Sequence, residues 1–325
     1  MEQKVYPRLN TLVKLRENSF LSASARNELI RAPGTEAIFK ALTSAGFFLH
    51  AQPKGPEELL PALDAEKQGW MRWARDLEAE ENLFLLFSLP DMAHNMRVFL
   101  KERVLERDLS GLYLPSDYSR EALASLADDP AGAGELDRAA AETIHAALSD
   151  YEKNRSILRM DLIVRFFCQK GLLALCRTLG EPRIQEVVTA AVDLDLLALM
   201  AQGVTPGDIT DLAPPEEGLI GPKLGELLAA SSNEAGAFLA QTPYGPLWDA
   251  AARSGGRELF DALADNFLME KLRGARLVPF GLYPLYALLQ AKDIEIKTVR
   301  LIVKAKLAGA EESDIVRRVR DGYAL

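Results

Sequence analysis

The stretch of sequence that decides the fold is DIEIKTVRLIVKAKLAG, residues 293–309. At 100° per residue, four charged residues at positions i, i+4, i+7 and i+11 form one narrow stripe along a helix. Apolar residues flank this stripe on both sides, so the apolar arc is wider than a surface helix needs. The pattern predicts a helix that packs on two sides. The residues of the polar stripe are Asp293, Lys297, Arg300 and Lys304.

The polar stripe has two interpretations. Asp293 precedes Lys297 by four residues, the favourable order for a helical ion pair that contributes about 0.2–0.5 kcal/mol. The stripe can therefore be a solvated seam with no further role. The alternative is a docking edge for a partner, in which case Asp293, Lys297, Arg300 and Lys304 are candidate interface residues.

Composition bounds the class of protein. A chain of 325 residues with 48% hydrophobic content can bury a substantial core and has the length of two or three domains. Its apolar runs are broken by charges such as Arg165 and Lys170, so none approaches the roughly 20 apolar residues that span a bilayer. The N-terminal residues lack the apolar core of a secretory signal, which indicates the cytoplasm. The net charge of −9 and the absence of a basic tail argue against nucleic acid and anionic lipid as partners.

Helical periodicity covers most of the chain, and alternating strand patterns are nearly absent. RLVPF (276–280) is the only short β-like run, and Pro279 weakens it. We therefore predict an all-α fold. The predicted helices cover 8–31, 34–47, 62–87, 90–107, 119–127, 133–152, 154–179, 182–202, 223–231, 233–241, 246–253, 256–270, 282–308 and 311–321.

The sequence contains an internal repeat. ERDLSGLYLPSDY (106–118) aligns with PGDITDLAPPEEG (206–218) at a shift of 100 residues. Asp91, Asp193 and Asp293 recur at similar spacing (193 − 91 = 102; 293 − 193 = 100), and we place each near a helix start. A recurring aspartate there is more typical of a structural cap than of a ligand. The rest of the charged stripe does not recur. We predict three helical lobes, over 1–112, 113–218 and 219–325.

No pattern of residues indicates catalysis or cofactor binding. His50, His94 and His145 are far apart, and none has the spacing of a metal ligand pair. The glycine-rich segments 130–135 and 253–258 are turns, because neither follows a strand or precedes the Lys-Ser/Thr of a phosphate loop. We therefore expect no metal, no cofactor and no small-molecule substrate.

Two further features bear on chemistry. Cys168 and Cys176 lie eight residues apart on one predicted helix, about 12 Å, which is too far for a disulfide. They are interpreted as core thiols. An all-α enzyme would require a cavity lined by convergent acids, and Asp128 and Asp129 are the place to look for one.

The C-terminal run FGLYPLYALLQAKDIEIKTVRLIVKAKLAGAEESDIVRRVRDGY (280–323) resembles the end of the C-type subunit of bacterial and archaeal A/V-type ATPases, whose eukaryotic vacuolar counterpart is the d-type subunit. That family ends with a Phe-Gly-x-x-Pro segment, an acidic-then-basic helix, a Lys-x-x-Gly turn and a final tyrosine. The matching positions are Phe280-Gly281, Pro284, Glu295-Ile296, Val299-Arg300, Lys306 to Gly309 and Tyr323.

The resemblance continues upstream. AHNMRVFLKERV (93–104) is similar to the His-Asn helix of the family's first lobe, which adds Asn95, Arg97 and Lys101 to the candidate interface residues. LAQTPYGPLWDAA (239–251) resembles a second family segment. The second lobe departs from the family, because it keeps Asp193 but lacks the Asn and Arg expected after it.

The resemblance implies a funnel of three similar helical domains with pseudo-threefold symmetry. Such a protein is a non-catalytic part of the central stalk, peripheral to the membrane through the ATPase complex and not inserted into lipid. Its partners are the central shaft and the membrane rotor ring, between which it transmits torque. The alternative is a free-standing helical-repeat adaptor. Neither the transported ion, the ring size nor the direction of the machine follows from the residues.

Overall fold

The computed structural model describes residues 7–129, 134–254 and 257–324. These residues form helices and turns without a β-strand, which confirms the all-α prediction. The α-helices are α1 (Pro7–Arg16), α2 (Ala23–Arg31), α3 (Thr35–Ser44), α4 (Leu59–Arg75), α5 (Glu81–Leu105), α6 (Arg120–Asp128), α7 (Glu135–Asn154), α8 (Ile157–Leu179), α9 (Pro182–Ala201), α10 (Leu224–Ala229), α11 (Ser232–Leu239), α12 (Gly245–Ser254), α13 (Arg257–Arg273), α14 (Tyr283–Leu307) and α15 (Glu312–Arg318).

Two predicted helix boundaries in the N-terminal part are wrong. The helix predicted over 8–31 ends at Arg16, and α2 begins anew after Ser22, whose side chain accepts a hydrogen bond from the Ala25 amide. Ser22 is thus an N-cap inside a pattern that looked continuous. The second break comes before Glu81 and not before Pro90, which α5 contains in its interior. Burial of the neighbouring apolar faces outweighs the one backbone hydrogen bond that the proline lacks.

The three long helices that begin the repeated pattern are evenly spaced. α5 starts at Glu81, α9 at Pro182 and α14 at Tyr283, so both intervals are 101 residues (182 − 81 = 101; 283 − 182 = 101). The recurring aspartates lie ten or eleven residues inside these helices, for example Asp193 in α9 (193 − 182 = 11). Their placement at helix starts, and with it their role as caps, is therefore wrong. Proline in the first turn of α9 and α14 favours the observed starts.

The chain folds as two compact units. Unit 1 comprises Met1–Ala79 with Leu239–Leu325, and unit 2 comprises Glu80–Phe238. Unit 1 is thus built from both ends of the chain, whereas unit 2 is continuous. Packing defines these units and the sequence repeat defines the predicted lobes, so the division into three lobes stays a prediction.

The core of unit 1 is built around α14. This helix packs against α4, α1, α13, α3 and α2, so it has neighbours on more than one side, as the wide apolar arc predicts. Ile296, Val299 and Val303 on α14 are almost completely buried with leucines of α2, α3 and α4. Tyr323, the tyrosine of the C-terminal motif, is buried against Phe20, with their ring centroids 4.8 Å apart.

The core of unit 2 is the pair α5 and α8, with α6 and α7 packed alongside. Cys168 and Cys176 on α8 are free thiols. Burial raises the pKa of both to about 12, so they remain protonated at neutral pH. Both observations agree with their interpretation as core thiols.

Several features from the sequence fall at the edges of what the structure describes. The predicted turns at 130–133 and at Gly255-Gly256 lie outside the described residues. The β-like run 276–280 begins in a 3-10 turn, Gly274–Leu277. Among the described residues, no helix combines the length and the apolar character that crossing a bilayer requires.

Gly69 on α4 is a position where only glycine fits. A Cβ there would lie 2.1 Å from the Cβ atom of His50, whose backbone amide is held by Glu66 at 2.8 Å. We expect Gly69→Ala to lower the free energy of unfolding by about 1–3 kcal/mol, because His50 cannot withdraw without breaking that bond. Urea denaturation measures the effect.

Gly236→Ala is the matched control, because a Cβ at this position of α11 meets nothing within 4 Å. It should stabilise the protein by about 0.5–1 kcal/mol through helix propensity alone. Equal effects of the two substitutions would contradict the packing around Gly69.

Candidate functional site

The polar stripe of α14 forms a network with α4. The Asp293 carboxylate lies 2.8 Å from the Lys297 ammonium and 3.4 Å from that of Lys67 on α4. Arg300 donates to Asp64, also on α4, at 2.6 Å. Three of the four stripe residues thus hold partners within unit 1. This geometry is that of a seam between two packed helices.

Electrostatics keeps this seam charged. Burial by itself would raise the pKa of Asp293, but the Lys297 and Lys67 ammonium groups hold it well below its ordinary value. The Asp293 carboxylate in turn raises the pKa of Lys297. The Lys297 side chain is still 51% exposed, and Lys304 lies on the surface. The docking interpretation of the stripe therefore depends mainly on these two lysines.

The candidates on α5 belong to unit 2 and hold that unit together. Asn95 is fully buried: its amide donates to the carbonyls of Leu114 and Tyr118 at 2.9 and 3.0 Å, and its oxygen accepts from the Leu114 amide at 2.8 Å. Lys101 pairs with Asp161 of α8 at 2.7 Å. Arg97 donates to the carbonyl one turn earlier in its own helix. Asn95 would contribute to an interface only through the loop that it holds.

Asp193 on α9 has the same kind of role as Asn95. It is 1% exposed, and its two oxygens accept from the amides of Leu219 and Ile220 at 3.0 and 2.9 Å. Gly218, with φ of +84°, lies so close that a Cβ would come 2.3 Å from the carboxylate. The recurring aspartate of the second lobe is therefore a buried acceptor that fixes a loop.

Glu295 on α14 binds a segment far away in sequence. Its carboxylate accepts from the Leu21 amide at 2.7 Å and from the Lys292 ammonium at 2.8 Å. Lys292 is 1% exposed and lies over the rings of Phe47 and Trp70, 4.1 and 5.2 Å from their centroids. Ion pairing and cation–π contacts together compensate the buried charge.

Sequence reasoning missed this buried pair, although the sequence carried a signal. Lys292 and Glu295 are spaced i, i+3 and fall within the apolar arc of α14, not on its polar stripe. A charged pair at that spacing on a buried face indicates an internal ion pair. Glu66 on α4 was also missed: it accepts from the amides of residues 49–51 and from the Trp70 indole.

Asn95, Asp193 and Glu295 share one arrangement, and we call them the loop clamps. Each lies in one of the three evenly spaced long helices and is buried. Each bonds the backbone of a segment that precedes a short helix: 114–118 before α6, 219–220 before α10, and Leu21 before α2. The chemistry of these groups is to accept backbone N–H groups and so fix loops.

The structure offers little support for the enzyme alternative. Asp128 is exposed and pairs with Arg103, also exposed, at 3.8 Å. Within residues 7–129, 134–254 and 257–324, no three His, Cys, Asp or Glu side chains are grouped so that they could hold a metal ion. The residues near Asp128 thus form a surface ion pair, of a kind that contributes little to stability.

Asp293 makes stability depend on pH in a defined direction. Its folded pKa lies below its unfolded value of about 3.9, so the stabilisation is complete above that pH and is lost as pH falls through the folded pKa. We expect Asp293→Asn to cost about 1–2 kcal/mol at pH 7 and pH 5, and less below about pH 4. Urea titrations at several pH values measure this difference.

The control is Asp249→Asn, since Asp249 is exposed on α12 of the same unit. It should change the unfolding free energy by less than about 0.5 kcal/mol at any of these pH values. A pH-independent effect of Asp293→Asn would show that the ion pairs do not stabilise the seam.

The loop clamp at Asn95 is expected to hold residues 114–118. Asn95→Ala leaves two carbonyls and one amide without their partner, which should lower the unfolding free energy by about 2–4 kcal/mol. Hydrogen exchange should show faster exchange of the Leu114 amide. Asn154→Ala, at an exposed asparagine of the same unit, is the control and should leave that amide protected. Unchanged exchange in Asn95→Ala would contradict the clamp.

Comparison with known proteins agrees with the resemblance found in the sequence. A family model described as ATP synthase (C/AC39) subunit matches residues 9–318. A curated relative, the C-type subunit of the V-type sodium ATPase of Enterococcus hirae, is 22% identical over 332 residues, which cover 98% of this chain and 99% of the relative. The match extends through all three helices that carry the loop clamps. The chain therefore belongs to the ATP synthase (C/AC39) subunit family.

Proposed function

We propose that this chain is the part of the central stalk that links the shaft of a V/A-type ATPase to its membrane rotor ring and transmits torque between them. The family match over residues 9–318 is the observation that carries this proposal. In this role the chain makes and breaks no bonds, and it lies at the cytoplasmic face of the membrane without inserting into it. Its partners are the proteins of the shaft and of the ring.

The internal construction of both units suits a part that transmits torque. Such a part must resist deformation, and closely packed helices deform little. The loop clamps add fixed hydrogen bonds between long helices and the loops of the same unit. Buried and fully bonded polar groups make a structure more rigid. Loops held in this way keep their positions under load.

The repeat supports a three-lobed body. Long helices that start 101 residues apart, each with a loop clamp, are what three diverged copies of one lobe would contain. We propose lobes close to 1–112, 113–218 and 219–325, arranged with pseudo-threefold symmetry as a funnel. Several equivalent edges would meet a ring of identical proteins, and the sum of modest contacts would give a strong attachment.

The exposed lysines of the α14 stripe are the remaining interface candidates from the sequence. Lys297 and Lys304 present their ammonium groups to solvent, while Asp293 and Arg300 position α14 against α4. In the proposed role they contribute to the orientation and register of a contact with a neighbouring protein more than to its affinity.

Deletion of the gene tests the proposal. We expect ATP hydrolysis by the soluble head to continue, because the catalytic proteins remain, and ATP-driven ion uptake into inverted membrane vesicles to fall to background. Phosphate release and ion uptake are measured in parallel, and expression of the wild-type chain should restore uptake.

Loss of hydrolysis with retained ion uptake would contradict the proposal. So would purification of the chain with unrelated soluble proteins and never with the ATPase, a result that favours a free-standing adaptor. Native mass spectrometry of the detergent-solubilised complex identifies the neighbours directly.

A further inference from the structure

Unit 1 exposes apolar side chains on a segment that is held rigidly. Leu277 is 89% exposed and Phe280 is 49% exposed. The backbone around them is fixed to α1 at two points: Lys14 donates to the Arg276 carbonyl at 2.7 Å, and Asn10 donates to the Gly281 carbonyl at 3.2 Å. Two large apolar groups in solvent on a fixed backbone are typical of a contact surface.

The adjoining face of α1 is also open. Arg8, Thr11 and Leu15 are exposed at positions i, i+3 and i+7, so they form one stripe along the helix. On the helical wheel this stripe lies next to the side that bears Asn10 and Lys14, the two residues that contact segment 276–281. Leu15, which is 64% exposed, therefore borders the Arg276–Leu277 end of the segment.

The charge of this region is opposite to that of the whole chain. Helix α1 contains three basic residues and no acidic residue, and the same is true of segment 271–281. The chain as a whole carries a net charge of −9. Arg8 and Arg276 lie in solvent beside the exposed apolar groups. We call Arg8, Leu15, Arg276, Leu277 and Phe280 the basic-apolar face.

We propose that the basic-apolar face is a docking site for another protein of the rotor, one that presents apolar side chains bordered by carboxylates on a helix or loop. Leu15, Leu277 and Phe280 enter an apolar surface of that partner, while Arg8 and Arg276 pair with its acidic rim. This inference rests on the proposed function for the identity of the assembly. It names a surface that the polar stripe of α14 does not include.

A protein surface fits these observations better than a lipid surface does. The net charge of −9 repels an anionic bilayer at distances where two arginines attract it only locally. Hydrogen bonds at both ends of segment 276–281 fix its backbone, as insertion into a shaped apolar pocket requires. Binding that loses little conformational entropy is favoured by such a preorganised segment.

The test uses full-length chains and membranes from a strain that lacks this protein but retains the rest of the ATPase. Wild type should co-sediment with these membranes, and its binding should weaken between 50 and 300 mM NaCl, conditions we choose to screen the charges, about tenfold or more. Leu277→Asp with Phe280→Asp should weaken binding at least tenfold, because a charge cannot enter an apolar pocket unpaired. Arg8→Glu with Arg276→Glu should weaken it about as much and remove most of the salt dependence.

The control carries changes of the same kind elsewhere on unit 1. Val316→Asp with Arg317→Glu alters an exposed apolar residue and an exposed arginine of α15 and should bind as wild type does. Far-UV circular dichroism and thermal unfolding establish that every variant is folded.

The outcomes separate this inference from the proposed function. Wild-type binding with unchanged binding of both face variants overturns the docking site alone. A wild type that does not bind the membranes at all overturns the proposed function and this inference together. Equal binding to protein-free vesicles of phosphatidylglycerol and phosphatidylcholine would assign the face to lipid. A wild-type dimer in light scattering that the face variants convert to monomer would assign it to a second copy of this chain.

Discussion

A carboxylate or amide buried inside a helical bundle must find hydrogen-bond donors, because leaving it bare costs several kcal/mol. In this protein such groups find them on the backbone of loops. Glu295 and Asp193 accept amide protons, Asn95 both donates and accepts, and Glu66 binds three successive amides. Loops that would otherwise move are thereby fixed to long helices. The constraint that buried polar groups impose on their surroundings is what the order of both units depends on.

This arrangement joins fold and function. The family to which the chain belongs supplies parts of rotary ATPases, and the proposed role places the chain under torque. Apolar packing resists compression but slides more readily than directional bonds do. The buried hydrogen bonds give the packed helices a fixed register. Charged groups on the surface, such as Lys297 and Lys304, remain available for contacts with neighbouring proteins.

The sequence predicted those features that depend on local periodicity. The helical fold, the wide apolar arc of α14 and the Asp293–Lys297 pair follow from spacing alone. The break before α2 and the start of α5 were missed, because a cap or a tolerated proline is decided by tertiary packing. The ion pair of Arg300 with Asp64 joins residues 236 positions apart, which no local pattern encodes. Asn95 resembled a surface motif residue, since sequence shows an amide but not its burial.

The bond between Glu295 and the Leu21 amide has a consequence for biosynthesis. Leu21 leaves the ribosome 274 residues ahead of its partner, which at roughly 5–20 residues per second is a delay of about 14–55 s. During that interval the leucines of α2 and α3 lack the apolar face of α14. The first helices of the nascent chain are thus exposed to aggregation until the last helices emerge, a period in which chaperones that bind apolar segments would protect them.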